Sequence, residues 1–161
     1  MSDPEQETTY AAEDLVLAWL DETSFETGEV SVTLTRHGAR QTVTFRPEIE
    51  PRFGAPAEAR DFVDQVLTRL QAQTRRFGSN YRGREARPVK VVRSRKVKQA
   101  EYQNGVMKLP DRNTGGVWAL RGMVVLHELA HHLNTGVDGL IIDNHGEGFR
   151  ATFIQVLDDI G

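Results

Sequence analysis

Residues Val124-Val125-Leu126-His127-Glu128-Leu129-Ala130-His131-His132-Leu133 carry an HExxH motif inside an apolar run. On an α-helix each residue turns by about 100°. His127 and His131, one turn apart, therefore stand within about 40° of each other, and their imidazoles can grip a single metal ion. Glu128 projects beside that ion, where a carboxylate can take a proton from an attacking water. Zn²⁺ suits such a site, because imidazole is a borderline ligand and a catalytic zinc keeps one position open. His132 falls about 140° around from His127, off the metal face, as a supporting or surface group.

The flanks Met123-Val124-Val125-Leu126 and Leu129-Ala130 are apolar, which predicts a buried helix. Two histidines and a glutamate on such a helix are costly unless something partners them. The alternative to a metal is a pair of satisfied core histidines beside a salt-bridged glutamate. A catalytic zinc needs a third protein ligand. His145 offers one, in His145-Gly146-Glu147-Gly148-Phe149, where Gly146 permits a tight turn before a helical run through Ile160. Asp138, Asp143 and Glu147 lie in the same region, and zinc also accepts carboxylate oxygen.

HELAHHL followed by HGEGF resembles the HExxH…HGxxF pattern of SprT-like and related zinc metalloprotease domains. It is more similar still to a family of small bacterial metallohydrolases of unassigned substrate. That family pairs an Ala-x-Tyr, a short strand ending in Leu-Pro and a Trp-led helix, matched here by Ala100-Glu101-Tyr102, Val106-Met107-Lys108-Leu109-Pro110 and the run from Trp118 to Leu133. The likeness covers roughly Val89 to Ile160. It implies His127, His131 and His145 as zinc ligands, Glu128 as catalytic base, and a zincin-like α+β fold. In that fold a small mixed or antiparallel sheet packs on a long helix and on the HExxH helix. The family usually has proline where this chain has Glu147, which places an extra carboxylate in that loop.

The 161 residues suit one domain, expected over residues 11–161 behind a flexible arm of residues 1–10. Within it, an N-terminal hairpin and helix occupy 11–77 and the catalytic half 89–161. There is no cysteine, which excludes disulfides and thiolate metal sites and fits a reducing, cytoplasmic setting. The acidic N-terminus does not read as a signal peptide, and no apolar run approaches a membrane-spanning length. Net charge is -3, yet ten basic residues and one acid between Arg75 and Lys98 give that segment +9 and leave -12 elsewhere. Such asymmetry can mark a nucleic-acid footprint; a solvated face paired with the acidic remainder is the alternative.

Ala11–Leu20 reads as a short amphipathic helix, with a buried strand at Leu15–Leu20 the other possibility. Val30–Leu34 and Gln41–Phe45 alternate apolar and polar residues, the pattern of two half-buried strands, and His37-Gly38-Ala39-Arg40 reads as their hairpin turn. Pro47, Pro51, Gly54 and Pro56 make a connector. Ala57–Phe77 has apolar residues at helical spacing and ends at Gly78-Ser79-Asn80. Val89–Arg93 and Val106–Leu109 are strand candidates, and Arg95–Gln103 is strand or loop. Thr114–Leu133 is the metal helix, with glycines that favour a start near Val117, and Gly146–Ile160 is the last helix.

These readings predict a zinc-dependent hydrolase, with a peptide or protein as substrate and hydrolysis of a small ester or amide as a further option. Val106, Met107, Lys108 and Leu109 are the candidate strand for pairing with an extended substrate backbone. Tyr102 is a candidate donor to a developing oxyanion. The competing expectation is a nucleic-acid-associated protein with a structural or vestigial zinc site.

Overall fold

Between Ala59 and Leu70 the apolar residues recur every three or four positions, and Ala59, Val63, Val66, Leu67 and Leu70 are all buried. That stripe runs along helix α2 (Pro56–Phe77), which starts with proline in its first turn and stops at Gly78. Gly78 has φ +73° and returns its N–H to the Thr74 carbonyl at 2.9 Å, the left-handed stop that glycine makes without steric cost. The computed structural model describes residues 4–23, 30–36, 39–45, 50–78, 80–136 and 138–160.

The chain forms an α+β fold. Around α2 the described elements run in the order α1 (Pro4–Thr23), β1 (Val30–Arg36), β2 (Ala39–Phe45), α2, β3 (Lys90–Arg93), β4 (Glu101–Gln103), β5 (Val106–Leu109), a 3₁₀ turn at Arg112–Thr114, α3 (Gly116–Ala119), α4 (Gly122–Leu133) and α5 (Glu147–Ile160). Where one domain over 11–161 was expected, the contacts group the residues into two units. One comprises Met1–Glu7 with Pro51–Gly161, the other Thr8–Glu50.

In the smaller unit β1 and β2 pair antiparallel from Val30↔Phe45 to Arg36↔Ala39. The strands thus run closer to the turn than the sequence implied, with Ala39 and Arg40 already paired. His37 and Gly38 lie outside the described residues. α1 is longer than expected: it begins at Pro4, so residues 4–10 are helical and not a frayed arm. Among the described residues no helix is long and apolar enough to cross a membrane.

In the larger unit the sheet is mixed and its order is β3-β5-β4. β5 runs parallel to β3, with Lys90↔Val106 through Arg93↔Leu109, and antiparallel to β4, with Tyr102↔Met107. Val106–Leu109 is therefore the central strand. This corrects the expectation that it pairs with a substrate backbone: both of its hydrogen-bonding sides are occupied by β3 and β4, so no added strand can pair there. Met107 and Leu109 point into the core and are fully buried. They share that core with α2, with Leu126, Leu129 and Leu133 of α4, and with Phe149, Phe153 and Val156 of α5.

The expected long metal helix is broken. After the short α3, the backbone leaves helical geometry at Leu120 (φ -93°, ψ 43°) and Arg121 (φ -108°, ψ 147°), and α4 begins at Gly122. The cause is a strand-like crossing by residues 51–53. Phe53 N–H donates to the Leu120 carbonyl at 2.9 Å, and Gly122 N–H donates to the Pro51 carbonyl at 2.8 Å. A Cβ on Gly122 would lie 2.7 Å from Pro51 Cγ, so the crossing needs glycine for its close approach.

Candidate metal centre

α4 is buried on almost every side: Gly122 and every residue from Val124 to Leu133 are buried. That places His127, Glu128, His131 and His132 together on one buried helix, at exposures of 4%, 8%, 7% and 6%. Four ionisable groups out of water require compensation, and the two faces of the helix obtain it differently.

On one face, His127 and His131 meet His145 from the loop that leads into α5. Nε2 of His131 lies 3.0 Å from Nε2 of His127, and Nε2 of His145 lies 3.3 Å from that same atom. Among the described residues these three histidines form the one group whose ligand atoms could hold a metal, all within 4.8 Å of one another. A tetrahedral zinc with Zn–N bonds of 2.0–2.1 Å separates its nitrogens by about 3.3 Å, close to the two separations from His127. The chemistry fits as well. Three converging ring nitrogens cannot all be satisfied by hydrogen bonds to one another, and their lone pairs suit a cation at the centre. Burial, followed by the neighbouring His127 and His145, pushes His131 down to about 2, so it stands as the neutral imidazole that metal binding requires. Nδ1 of His131 is buried with no hydrogen-bond partner among the described residues.

Phe149 supports the cluster. Its ring is fully buried and touches all three imidazoles, with centroid separations of 4.9 Å to His127, 4.3 Å to His131 and 5.2 Å to His145. Phe153 closes the His127 side at 5.8 Å. The packing role expected of Phe149 extends to the three clustered histidines themselves.

His145 is positioned by the start of α5. Asp143 accepts hydrogen bonds from Phe149 N–H at 2.9 Å through Oδ1 and from Gly148 N–H at 3.0 Å through Oδ2, which satisfies backbone donors of the first turn. Its Oδ1 also accepts from Asn134 Nδ2 at 2.9 Å. Asp143 is therefore occupied as a cap, Glu147 is exposed, and Asp138 accepts from Leu140 N–H at 3.1 Å. None of these three carboxylates joins the histidine cluster. Gly146 has no left-handed φ; a Cβ there would lie 2.9 Å from Glu5 Oε2 and 3.0 Å from Asp143 Oδ2, so those carboxylates would have to shift.

Asn134 was not singled out by the sequence, where it reads as a helix stop. Its backbone is not left-handed (φ -85°). Its fully buried side chain accepts from Arg82 Nε at 2.8 Å and donates to Asp143. It thereby ties the end of α4, which carries His127 and His131, to the loop that carries His145. An Asn three residues after the second motif histidine was the only available signal.

The opposite face of α4 holds His132. Its Nε2–H donates to the Arg87 carbonyl at 3.2 Å, and its Nδ1 accepts from the Tyr102 hydroxyl at 3.0 Å. This pairing sets a neutral tautomer. Burial, followed by the positive charge of Arg87, pulls His132 down to about 4. The Tyr102 hydroxyl also accepts from Gly105 N–H at 2.9 Å, and burial raises its pKa above the ordinary phenol value. Tyr102, the candidate oxyanion donor, is thus hydrogen-bonded to His132 and Gly105 and, among the described residues, to none of the three clustered histidines.

The basic stretch Arg75–Lys98 does not form one continuous free surface. Arg75 pairs with Glu85 at 3.3 Å, and the Arg93 guanidinium pairs with Asp111. Arg82, Arg84 and Arg87 turn inward to Asn134, to the Thr135 and Gly136 carbonyls, and to the His132 carbonyl. Lys90, Arg95, Lys96 and Lys98 are exposed.

No protein-family model, no curated protein and no solved structure matches the chain.

Proposed function

We propose that the chain is a zinc-dependent hydrolase of zincin-like architecture that cleaves peptide bonds. His127, His131 and His145 would hold the metal, and Glu128 is the general base. The observation that carries this reading is the convergence of three buried imidazoles whose ligand atoms lie within 4.8 Å of one another. Adjacent on the same helix is a buried carboxylate. When bound, zinc supplies Lewis acidity, acidifying water to a pKa of about 7 and polarising a carbonyl.

The chain's own residues provide the rest. Glu128 takes a proton from the attacking water and delivers it to the leaving nitrogen, so one carboxylate serves as base and then as acid. Phe149 and Phe153 exclude water from the His127 side and lower the local dielectric, which strengthens every charge interaction there. The Asp143 cap and the Asn134 tie keep His145 in register with the other two ligands.

The test uses fluorescently labelled casein as a general protein substrate. Zinc-loaded wild type is expected to cleave it. Glu128→Gln is expected to lose at least about a hundredfold of that rate while binding the same zinc. Equal cleavage by the two proteins would remove Glu128 from the reaction.

A further inference from the structure

On the far side of α4 from the three histidines is a cavity of about 420 Å³, lined by Arg84, Arg87, Tyr102, His132, Asp138 and Leu140 among others. Its volume lies in the range of small-molecule sites. The two arginines stand out in their electrostatics. Arg84 Nη2 donates to the Thr135 and Gly136 carbonyls at 2.6 and 2.9 Å, and Arg87 Nη2 donates to the His132 carbonyl and to Thr135 Oγ1 at 2.8 and 2.7 Å. All of these acceptors are neutral. Among the described residues neither guanidinium forms an ion pair, although Asp138 lines the same cavity and uses Oδ1 for Leu140 N–H. Arg84 Nε and Arg87 Nη1 are buried with no hydrogen-bond partner among the described residues.

Closing the C-terminal end of α4 explains part of this arrangement, since cations favour that end of a helix. It does not explain two guanidiniums in one place. The two guanidiniums also repel each other, which, after burial, lowers the Arg87 pKa. Two partly desolvated guanidiniums that form no ion pair among the described residues, with Asp138 the one carboxylate in the lining, are costly unless an anion completes them. Guanidinium forks match the oxygens of carboxylate and phosphate. The tyrosine ring and the Leu140 side chain offer an apolar wall for the remainder of a ligand.

We propose that this cavity is a binding site for a small organic oxyanion, held by Arg84 and Arg87 through a phosphate or carboxylate group. The site is separate from the metal centre and does not depend on the hydrolase reading.

The test is a ¹H–¹⁵N NMR titration of the full chain, read at the Arg84 and Arg87 side-chain N–H resonances. The probes are sodium phosphate and sodium acetate, with sodium chloride at matched ionic strength as control. Anions that reach metal at the histidines do not move these reporters. Saturable shifts with phosphate assign a phosphoryl ligand, and saturable shifts with acetate assign a carboxylate; chloride is expected to leave both resonances in place. Leu140→Glu sets a negative charge at an exposed position of the lining (63% exposure) and leaves every arginine bond intact. It is expected to weaken binding at least tenfold. Shifts that chloride reproduces, that never saturate, or that Leu140→Glu leaves unchanged would overturn the proposal and leave the arginines as caps of α4.

Discussion

The ring of His131 stacks on Phe149, with centroids 4.3 Å apart and planes 28° from parallel. Its Nδ1 has no hydrogen-bond partner among the described residues, whereas metal-binding histidines usually have a partner at the second nitrogen. Packing thus replaces a hydrogen bond in orienting this candidate ligand. Phe149→Ala is expected to destabilise the fold by about 3–5 kcal/mol and to weaken zinc binding by about 10–100-fold, the range seen when ligand support is lost. Urea unfolding and chelator competition measure the two effects. Unchanged zinc affinity in the variant would show that the stacking does not orient His131.

Asp143 offers the complementary case, a carboxylate beside the site that acts on the backbone. Asp143→Ala removes the acceptor for the Gly148 and Phe149 N–H groups and for Asn134. A cost of about 1–3 kcal/mol in urea unfolding is expected, with one equivalent of zinc retained at saturating metal. Loss of the metal from a still folded variant would return Asp143 to the ligand set.

The two depressed histidines set a pH dependence for the metal-free chain. An unfolded histidine titrates near 6.5, while folded His131 and His132 are held down to about 2 and about 4. Below pH 6.5 the unfolded chain therefore binds protons that the folded chain refuses. Stability is full above pH 6.5 and falls with acidification, by at most about 1.4 kcal/mol per pH unit for each histidine. The His132 share is exhausted near pH 4. Urea midpoints at pH 7, 6 and 5 should decline in the wild type, and His132→Gln should flatten the slope by one proton. An unaltered slope would mean that His132 is not held neutral by the fold.

The break before α4 has its own test. Gly122→Ala drives a Cβ into Pro51 and should destabilise the chain by about 1–3 kcal/mol, as overpacking does. A neutral result in thermal or urea unfolding would mean that residues 51–53 can move away from the helix start without loss.

What the sequence could reveal divides along local and non-local lines. His127 and His131 were legible because helical period alone puts them on one face, and α2 because its stripe repeats with that period. His145 was legible as a candidate. Its meeting with the other two depends on Phe149 seating α5 against α4, which no spacing expresses. The break at Leu120 and Arg121 comes from residues some seventy positions earlier, so glycine content alone hinted at it. The central place of β5 follows from a parallel pairing with β3 across a crossover. Tyr102 and His132 are thirty residues apart and Arg87 is forty-five from His132; nothing local announces that these three share one cavity.

The most direct test of the three-histidine centre is the metal content of the purified protein, measured by mass spectrometry for wild type and His145→Ala after incubation with zinc and removal of the excess. The account predicts one zinc per chain in the wild type and less than about a tenth of that in the variant, since three protein ligands are the usual minimum for a catalytic zinc. A wild type that binds no zinc, or a His145→Ala variant that keeps a full equivalent, would contradict it.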